Sequence, residues 1–296
     1  MDNQAEVRDF LRTRRARISP ARANIIGGGT RRRVPGLRRE EVAFLAGVSV
    51  DYYARMERGN LVGVSEEVLA ALAAALGLDE AETSYLYDLA RSARPQPAKR
   101  RRARRDTGVR PSLLRLLDSI TRAPACIRNQ RLDFVAGNPL GRALYAPVLE
   151  DPGSGGNNAL YVFLNPGARV FYADWQQGAD DVATTLRLHA GRNPRDKDLT
   201  DLIGELVTRS DEFRVRWAAH NVGFHRGGVK RLHHPAVGDL ELAVETMELP
   251  ESPGWTMFGY TAEPGSPTED RLRLLGSLAV TQAGHGDPTD LSKHRE

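Results

Sequence analysis

The chain has 296 residues, 41% hydrophobic and 27% charged, a globular composition with room for two domains. It has no run of about 18 apolar residues, and its N-terminus, MDNQAEVRDF, lacks a basic segment followed by an apolar core, so neither a membrane span nor a secretory signal is expected. The net charge of +4 is uneven: residues 1–110 hold 22 Lys and Arg against 14 Asp and Glu, and the remainder 20 against 24, so only the first part attracts a polyanion unless it is simply a solvated basic surface.

Residues 3–18 place Val7, Phe10, Leu11 and Ile18 on one side of a helix. Residues 19–36, with two prolines and Gly27-Gly28-Gly29, read as a loop; the glycines lack the spacing of a dinucleotide fingerprint. A helix over about 38–46 turns Val42, Leu45 and Ala46 inward, and Gly47 lets the chain leave it. In the next stretch, VSVDYYARMERG, Ser49 caps a helix over 50–58. Ser65 caps a fourth helix, with Glu66 and Glu67 in its first turn and Val68, Leu69, Leu72 and Leu76 at helical spacing. Asp79 and Glu82 have capping-box spacing at the start of a fifth, with Tyr85, Leu86 and Leu89 inward. These helices define an N-terminal domain over residues 1–92. Residues 93–111 hold three prolines and the run Lys99 to Arg105, which cannot pack a core and reads as a linker or as an arm along a phosphate backbone.

The second half reads as a mixed α+β domain over 112–283, followed by a disordered polar tail, 284–296. Residues 112–121 look helical, and β-like runs follow at Ala125 to Arg128, Leu132 to Ala136 and Ala159 to Leu164. Leu140, Leu144 and Val148 mark a helical segment, and helices are expected near 177–190 and 199–209. Further strands are expected at Phe213 to Trp217, Gly228 to His234, Leu240 to Leu249 and Trp255 to Ala262, then a helix near 268–280. Leu240, Leu242, Val244 and Thr246 share one strand face, with Glu241 and Glu245 on the other. The single cysteine, Cys126, excludes an internal disulfide and a cysteine-based zinc cluster, which fits a reducing cytoplasm.

The second and third helices, joined at Gly47, have the pattern of a helix-turn-helix. Tyr53 and Met56 point inward, leaving Val50, Asp51, Ala54 and Arg55 outside with Tyr52 and Arg58 at the margins, and a recognition helix reads bases with such an outer face. Residues 38–60, RREEVAFLAGVSVDYYARMERGN, resemble the xenobiotic-response-element type of helix-turn-helix repressor, with its phage-repressor-like five-helix domain. The longer run RRRVPGLRREEVAFLAGVSVDYYARMERG is similar to a subgroup that carries a C-terminal MmyB-like ligand-binding domain, PAS-like in fold. FRVRWAAHNVGFHRGGVKRLHHPAVGDLELAVETMEL and GYTAEPGSPTEDRLRLL resemble that second domain. The resemblance implies that Val50, Asp51 and Arg55 meet base edges. It implies that Ser49, Tyr52, Arg58 and Arg39 meet phosphate or the groove wall, and that Glu57 pairs with a first-helix arginine, Arg15. Val50 suits a thymine methyl, Asp51 a cytosine amine or merely the helix N-terminus, and Arg55 either guanine or phosphate.

No catalytic constellation and no G-x-S-x-G stand out in the second half, so no catalytic residue is assigned. His220, His225, His233 and His234 suggest a haem or metal sensor as an alternative, but no zinc spacing is present and His234 precedes Pro235 in a turn, so no metal ligand is assigned. The resemblance implies a small apolar ligand such as a fatty acid, and no other cofactor is expected; from the residues of this half, Trp175, Trp217, His220 and Tyr260 are candidates to line its pocket, and Arg142, Arg187 or His220 to partner a carboxylate. The expectation is a cytoplasmic, nucleoid-associated regulator that binds double-stranded DNA as a homodimer, on half-sites about one helical turn apart. A DNA-tethered enzyme is the competing reading.

Overall fold

The computed structural model describes residues 2–21, 23, 36–93, 108–223 and 227–283. Five helices come first: α1 (Asn3–Arg17), α2 (Arg39–Leu45), α3 (Val50–Glu57), α4 (Glu66–Ala75) and α5 (Glu80–Ala93). Side chains a few residues away set where they begin. Asp2 accepts from the Gln4 N–H (3.0 Å), Ser49 from Tyr52 (3.1 Å) and Ser65 from Val68 (3.4 Å). Asp79 and Glu82 bond each other's backbone N–H at 2.8 and 3.3 Å, so the expected capping box is present. Each bond satisfies an amide that the helix leaves free. Gly47 sits at φ +65°, which turns the chain from α2 into α3 without a Cβ clash. The glycine run 27–29, the basic run 99–105 and the tail 284–296 lie outside the described residues.

After these come α6 (Pro111–Ser119), β1 (Ala125–Arg128), β2 (Phe134–Gly137), α7 (Pro139–Leu144), α8 (Ala146–Leu149), α9 (Asn158–Leu164), α10 (Ala168–Phe171), α11 (Trp175–Arg192), α12 (Lys197–Arg209) and α13 (Asp211–Ala218). The chain continues with β3 (Gly228–His234), β4 (Gly238–Glu248), β5 (Thr256–Thr261) and α14 (Pro267–Ala283). Two expected strands are helices instead. Ala159 to Leu164 lies in α9 because Asn157 accepts from the N–H groups of Ala159 and Leu160, at 2.9 and 3.0 Å. Phe213 to Trp217 lies in α13, capped by Ser210 with Asp211 and Glu212 in its first turn. A short apolar run fits either period, and the cap decides. Among the described residues, no helix is long and apolar enough to cross a membrane.

The chain forms two compact units, residues 1–103 with 180–224 and residues 104–179 with 225–296. In the first, Val7, Phe10, Leu11, Val42, Tyr53, Met56, Leu69, Leu72, Tyr85 and Leu86 build a core that also takes in Leu188 and Val222. Burying such a side chain contributes about 1.5–3 kcal/mol, so the later stretch is part of this core's stability.

The second unit is an α+β, PAS-like domain around an antiparallel sheet of order β2-β1-β5-β4-β3. Because side chains alternate across a strand, the registers sort its two faces. Ala125, Ile127, Ala136 and Met257 share one face with Leu113 and Leu117 of α6. Cys126, Arg128, Phe258, Tyr260, Val244, Leu242, Lys230 and Leu232 share the other. The expected β4 alternation is present, with Leu240, Leu242 and Val244 buried and Glu241 and Glu245 exposed. The loop and helices between β2 and β3 bring Tyr145, Phe171 and Tyr172 over the second face.

Candidate DNA-reading face and ligand cage

Helix α3 turns about 100° per residue, which separates its residues by role. Tyr53, Met56 and Glu57 are buried, whereas Ser49, Val50, Asp51, Arg55 and Arg58 are exposed and Tyr52 is half-buried. Arg55 Nη2 donates to the Val62 carbonyl at 3.1 Å, and its guanidinium stands 5.9 Å from the Tyr52 ring centroid.

Glu57 lies beneath this face. It accepts from Arg15 Nε at 2.6 Å and from Arg39 Nε, while Arg15 Nη1 also donates to the Leu37 carbonyl at 2.8 Å. The expected Arg15–Glu57 pair is present, and Arg39 is a second partner that the sequence reading missed. Arg39 keeps 58% of its side chain exposed, so it is tethered at one end and offers the other to solvent. One buried carboxylate thus orients two cations.

The same compact unit contains a buried polar cluster. Glu6 accepts from the Tyr85 hydroxyl at 2.7 Å and pairs with Arg187, which also donates to the Trp217 carbonyl. His220 Nδ1 stands 3.1 Å from Arg187 Nη1 and 3.4 Å from Glu6 Oε1. Protonated, it donates to the carboxylate; neutral, it accepts from the guanidinium. Burial alone would raise the Glu6 carboxyl, but the hydrogen bond from His220 and the charge of Arg187 hold it down at about 2. Arg192 pairs with Asp88 at 3.0 Å, and Arg14 donates to the His220 carbonyl at 2.6 Å. Gly191 passes so close to the Tyr85 ring that a Cβ there would collide with it. Trp217 stacks on Phe213 (5.4 Å between centroids), with the Arg187 guanidinium 3.9 Å from its ring. Arg187, Trp217 and His220, read from sequence as ligand contacts, therefore bond within the unit that holds α1 to α5.

The other two lining candidates lie in the sheet-containing unit. Trp175 Nε1 donates to the Val162 carbonyl at 2.9 Å. Tyr260 shares a hydroxyl hydrogen bond with Tyr145 at 2.8 Å, inside a cage with Phe258, Phe171 and Tyr172. Arg142 is exposed and donates to the Gly137 carbonyl. The cation within the cage is instead Arg128, at 4% exposure, with its guanidinium 4.4 Å from the Tyr145 ring and 5.1 Å from Phe258. Its Nη2 is buried without a hydrogen-bond partner among the described residues. Lys230 sits 5.1 Å from the Tyr172 ring. Among the described residues no carboxylate pairs with Arg128 or Lys230.

Cation–π contact contributes about 0.5–2 kcal/mol, whereas an unpaired buried ion costs several kcal/mol, so the rings offset only part of the penalty. Burial pushes up the Cys126 thiol and the Tyr260 and Tyr172 phenols, which keeps them uncharged. Burial would also raise Tyr145, yet the charges of Lys230 and Arg128 bring it below its ordinary value of 10. Arg128 had a sequence signal that the reading passed over: in ACIR, period-two alternation puts it on the face of Cys126.

His234 has a structural place. Its Nε2 bonds the Ala143 carbonyl at 3.0 Å and its Nδ1 accepts from Ala236 N–H at 3.2 Å, which requires the neutral tautomer protonated at Nε2. Among the described residues no group of three His, Cys, Asp or Glu side chains is placed to hold a metal ion.

A helix-turn-helix domain model matches residues 6–86, and a model of the MmyB-like transcription regulator ligand binding domain matches residues 109–275. A search of curated proteins returned no match.

Proposed function

Because the chain belongs to the family of MmyB-like transcription regulators, a helix-turn-helix domain joined to a ligand-binding domain, we propose that a small, largely apolar ligand in the sheet-containing unit sets its affinity for DNA. The ligand would be fatty-acid-like, and the regulator would act at the nucleoid as a homodimer on paired half-sites. The observation that carries the DNA-binding part is the exposed face of α3, Val50, Asp51 and Arg55, backed by the buried Glu57 that orients Arg15 and Arg39.

A second observation supports coupling between ligand and DNA. Residues 180–224 lie within the ligand-domain match, yet they fold into the same compact unit as the helix-turn-helix. Whatever shifts that stretch bears directly on the core under α3. A ligand changes DNA affinity to the extent that it prefers one arrangement of the stretch.

The test is duplex binding by the full chain on a selected operator and on random sequence, across a salt series. Binding to both should weaken as salt rises, because phosphate contacts release counterions. Arg55→Ala should cost about 1–3 kcal/mol on the operator and relax one base position. Equal weakening on random duplex would reduce Arg55 to a backbone contact, and binding insensitive to salt would contradict phosphate-driven recognition altogether.

A further inference from the structure

We infer that the loop between α3 and α4 belongs to the DNA-reading device: Asn60 is a positioning residue that, through the Val62 carbonyl, holds the Arg55 guanidinium in place to meet a base edge. This rests on the reading of α3 as the recognition helix, and it adds what aims its arginine. The loop is an arch pinned by buried side chains. Leu61 and Val64 anchor it in the core at 1% and 2% exposure, and Val62 between them stands out at 45%. Asn60 shapes the arch twice. Its N–H donates to the Arg55 carbonyl at 3.3 Å, and its Oδ1 accepts from the Val62 N–H at 3.2 Å. That side-chain turn fixes Val62, whose carbonyl accepts from Arg55 Nη2 at 3.1 Å. The Tyr52 ring, one turn earlier on α3, flanks the same guanidinium at 5.9 Å.

An exposed arginine gives up rotamer freedom when it docks, and one already tied by an N–H gives up less. Among the described residues this is the one hydrogen bond of the Arg55 side chain, so Nε, Nη1 and the second Nη2 hydrogen stay available for the paired acceptors of guanine. The bond to Val62 therefore sets the direction of the side chain and leaves its recognition edge open.

The probes are a duplex selected from a randomised pool by the full chain and an unselected duplex, each titrated with full-chain variants. Asn60→Ala should weaken binding to the selected duplex by about three- to tenfold, the ordering cost of one long side chain, and leave the unselected duplex unchanged. In an Arg55→Ala background the same substitution should change neither, because its effect runs through Arg55. Asn60→Asp keeps the acceptor and should keep the ratio of the two affinities, even where its charge weakens both. Should Asn60→Ala fail to fold, Asn60→Ser, whose shorter side chain supports the turn more weakly, carries the same measurement.

Equal weakening on both duplexes, weakening on neither, or a loss that persists in full without Arg55 overturns the assignment while leaving α3 as the reading helix. A ratio that collapses in Asn60→Asp overturns it as well. If the wild-type chain enriches no sequence from the pool, the recognition reading falls and this inference with it.

Discussion

Replacing Glu6 with glutamine is expected to destabilise the unit made of residues 1–103 and 180–224 by about 3 kcal/mol at neutral pH. Glutamine keeps an acceptor for the Tyr85 hydroxyl but leaves the Arg187 guanidinium, 1% exposed, without its counter-charge. Two routes give the magnitude. Removing one member of a buried ion pair costs about 3–5 kcal/mol. Independently, the Glu6 carboxyl lies at about 2 in the fold against 4.5 when free. At about 1.4 kcal/mol per tenfold change in proton affinity, that difference is about 3 kcal/mol. Because folding lowers this pKa, the contribution is complete above pH 4.5 and disappears as pH falls through 2. The gap between wild type and Glu6→Gln should therefore narrow to roughly 1 kcal/mol by about pH 3. The assay is urea unfolding followed by Trp217 fluorescence in a Trp175→Phe, Trp255→Phe background, since Trp217 stacks directly on Arg187. A gap below about 0.5 kcal/mol at pH 7, or one as wide at pH 3 as at pH 7, would refute the claim that this ion pair joins residues 180–224 to the helix-turn-helix.

Three further outcomes follow from the same physics. Gly59→Ala should lower the Tm by roughly 10 °C, because Gly59 sits at φ +101° and a Cβ there meets the Gln4 backbone; an unchanged Tm would show that this close approach is not required. Burial first, and the Arg192 charge second, lower His189 to about 4, so the unfolded chain takes up this proton before the folded one does. Stability should then be lost between about pH 6.5 and 4, and His189→Gln should flatten that part of a stability–pH curve; a slope unchanged in the variant would discount the assignment. Asn138 accepts from Ala125 and Gly141 N–H at 3.0 and 2.7 Å and donates to the Ile120 and Ala123 carbonyls at 2.6 and 2.8 Å. Asn138→Ala should cost about 3 kcal/mol in chemical denaturation, and a loss below about 1 kcal/mol would mean that water replaces those bonds.

Local interactions were legible in the amino-acid order. Ser49, Ser65 and the Asp79–Glu82 pair act within three residues of themselves, Gly47 acts on its own backbone, and the β4 alternation is a property of one strand. The five-helix domain, its outward face and the Arg15–Glu57 pair could therefore be placed from sequence, the last through a resemblance. The apolar runs Ala159 to Leu164 and Phe213 to Trp217 misled because a handful of apolar residues fits a strand or a helix until a cap chooses. What only the tertiary structure decided was which charges meet. Arg187 finds Glu6, 181 positions away, Arg39 joins Arg15 on Glu57, and Arg128 is enclosed by rings from separate segments with no carboxylate paired to it among the described residues. Partnering of that kind depends on burial and on long-range closure, and a single arginine in a sequence looks the same whether it faces water, a carboxylate or an aromatic ring.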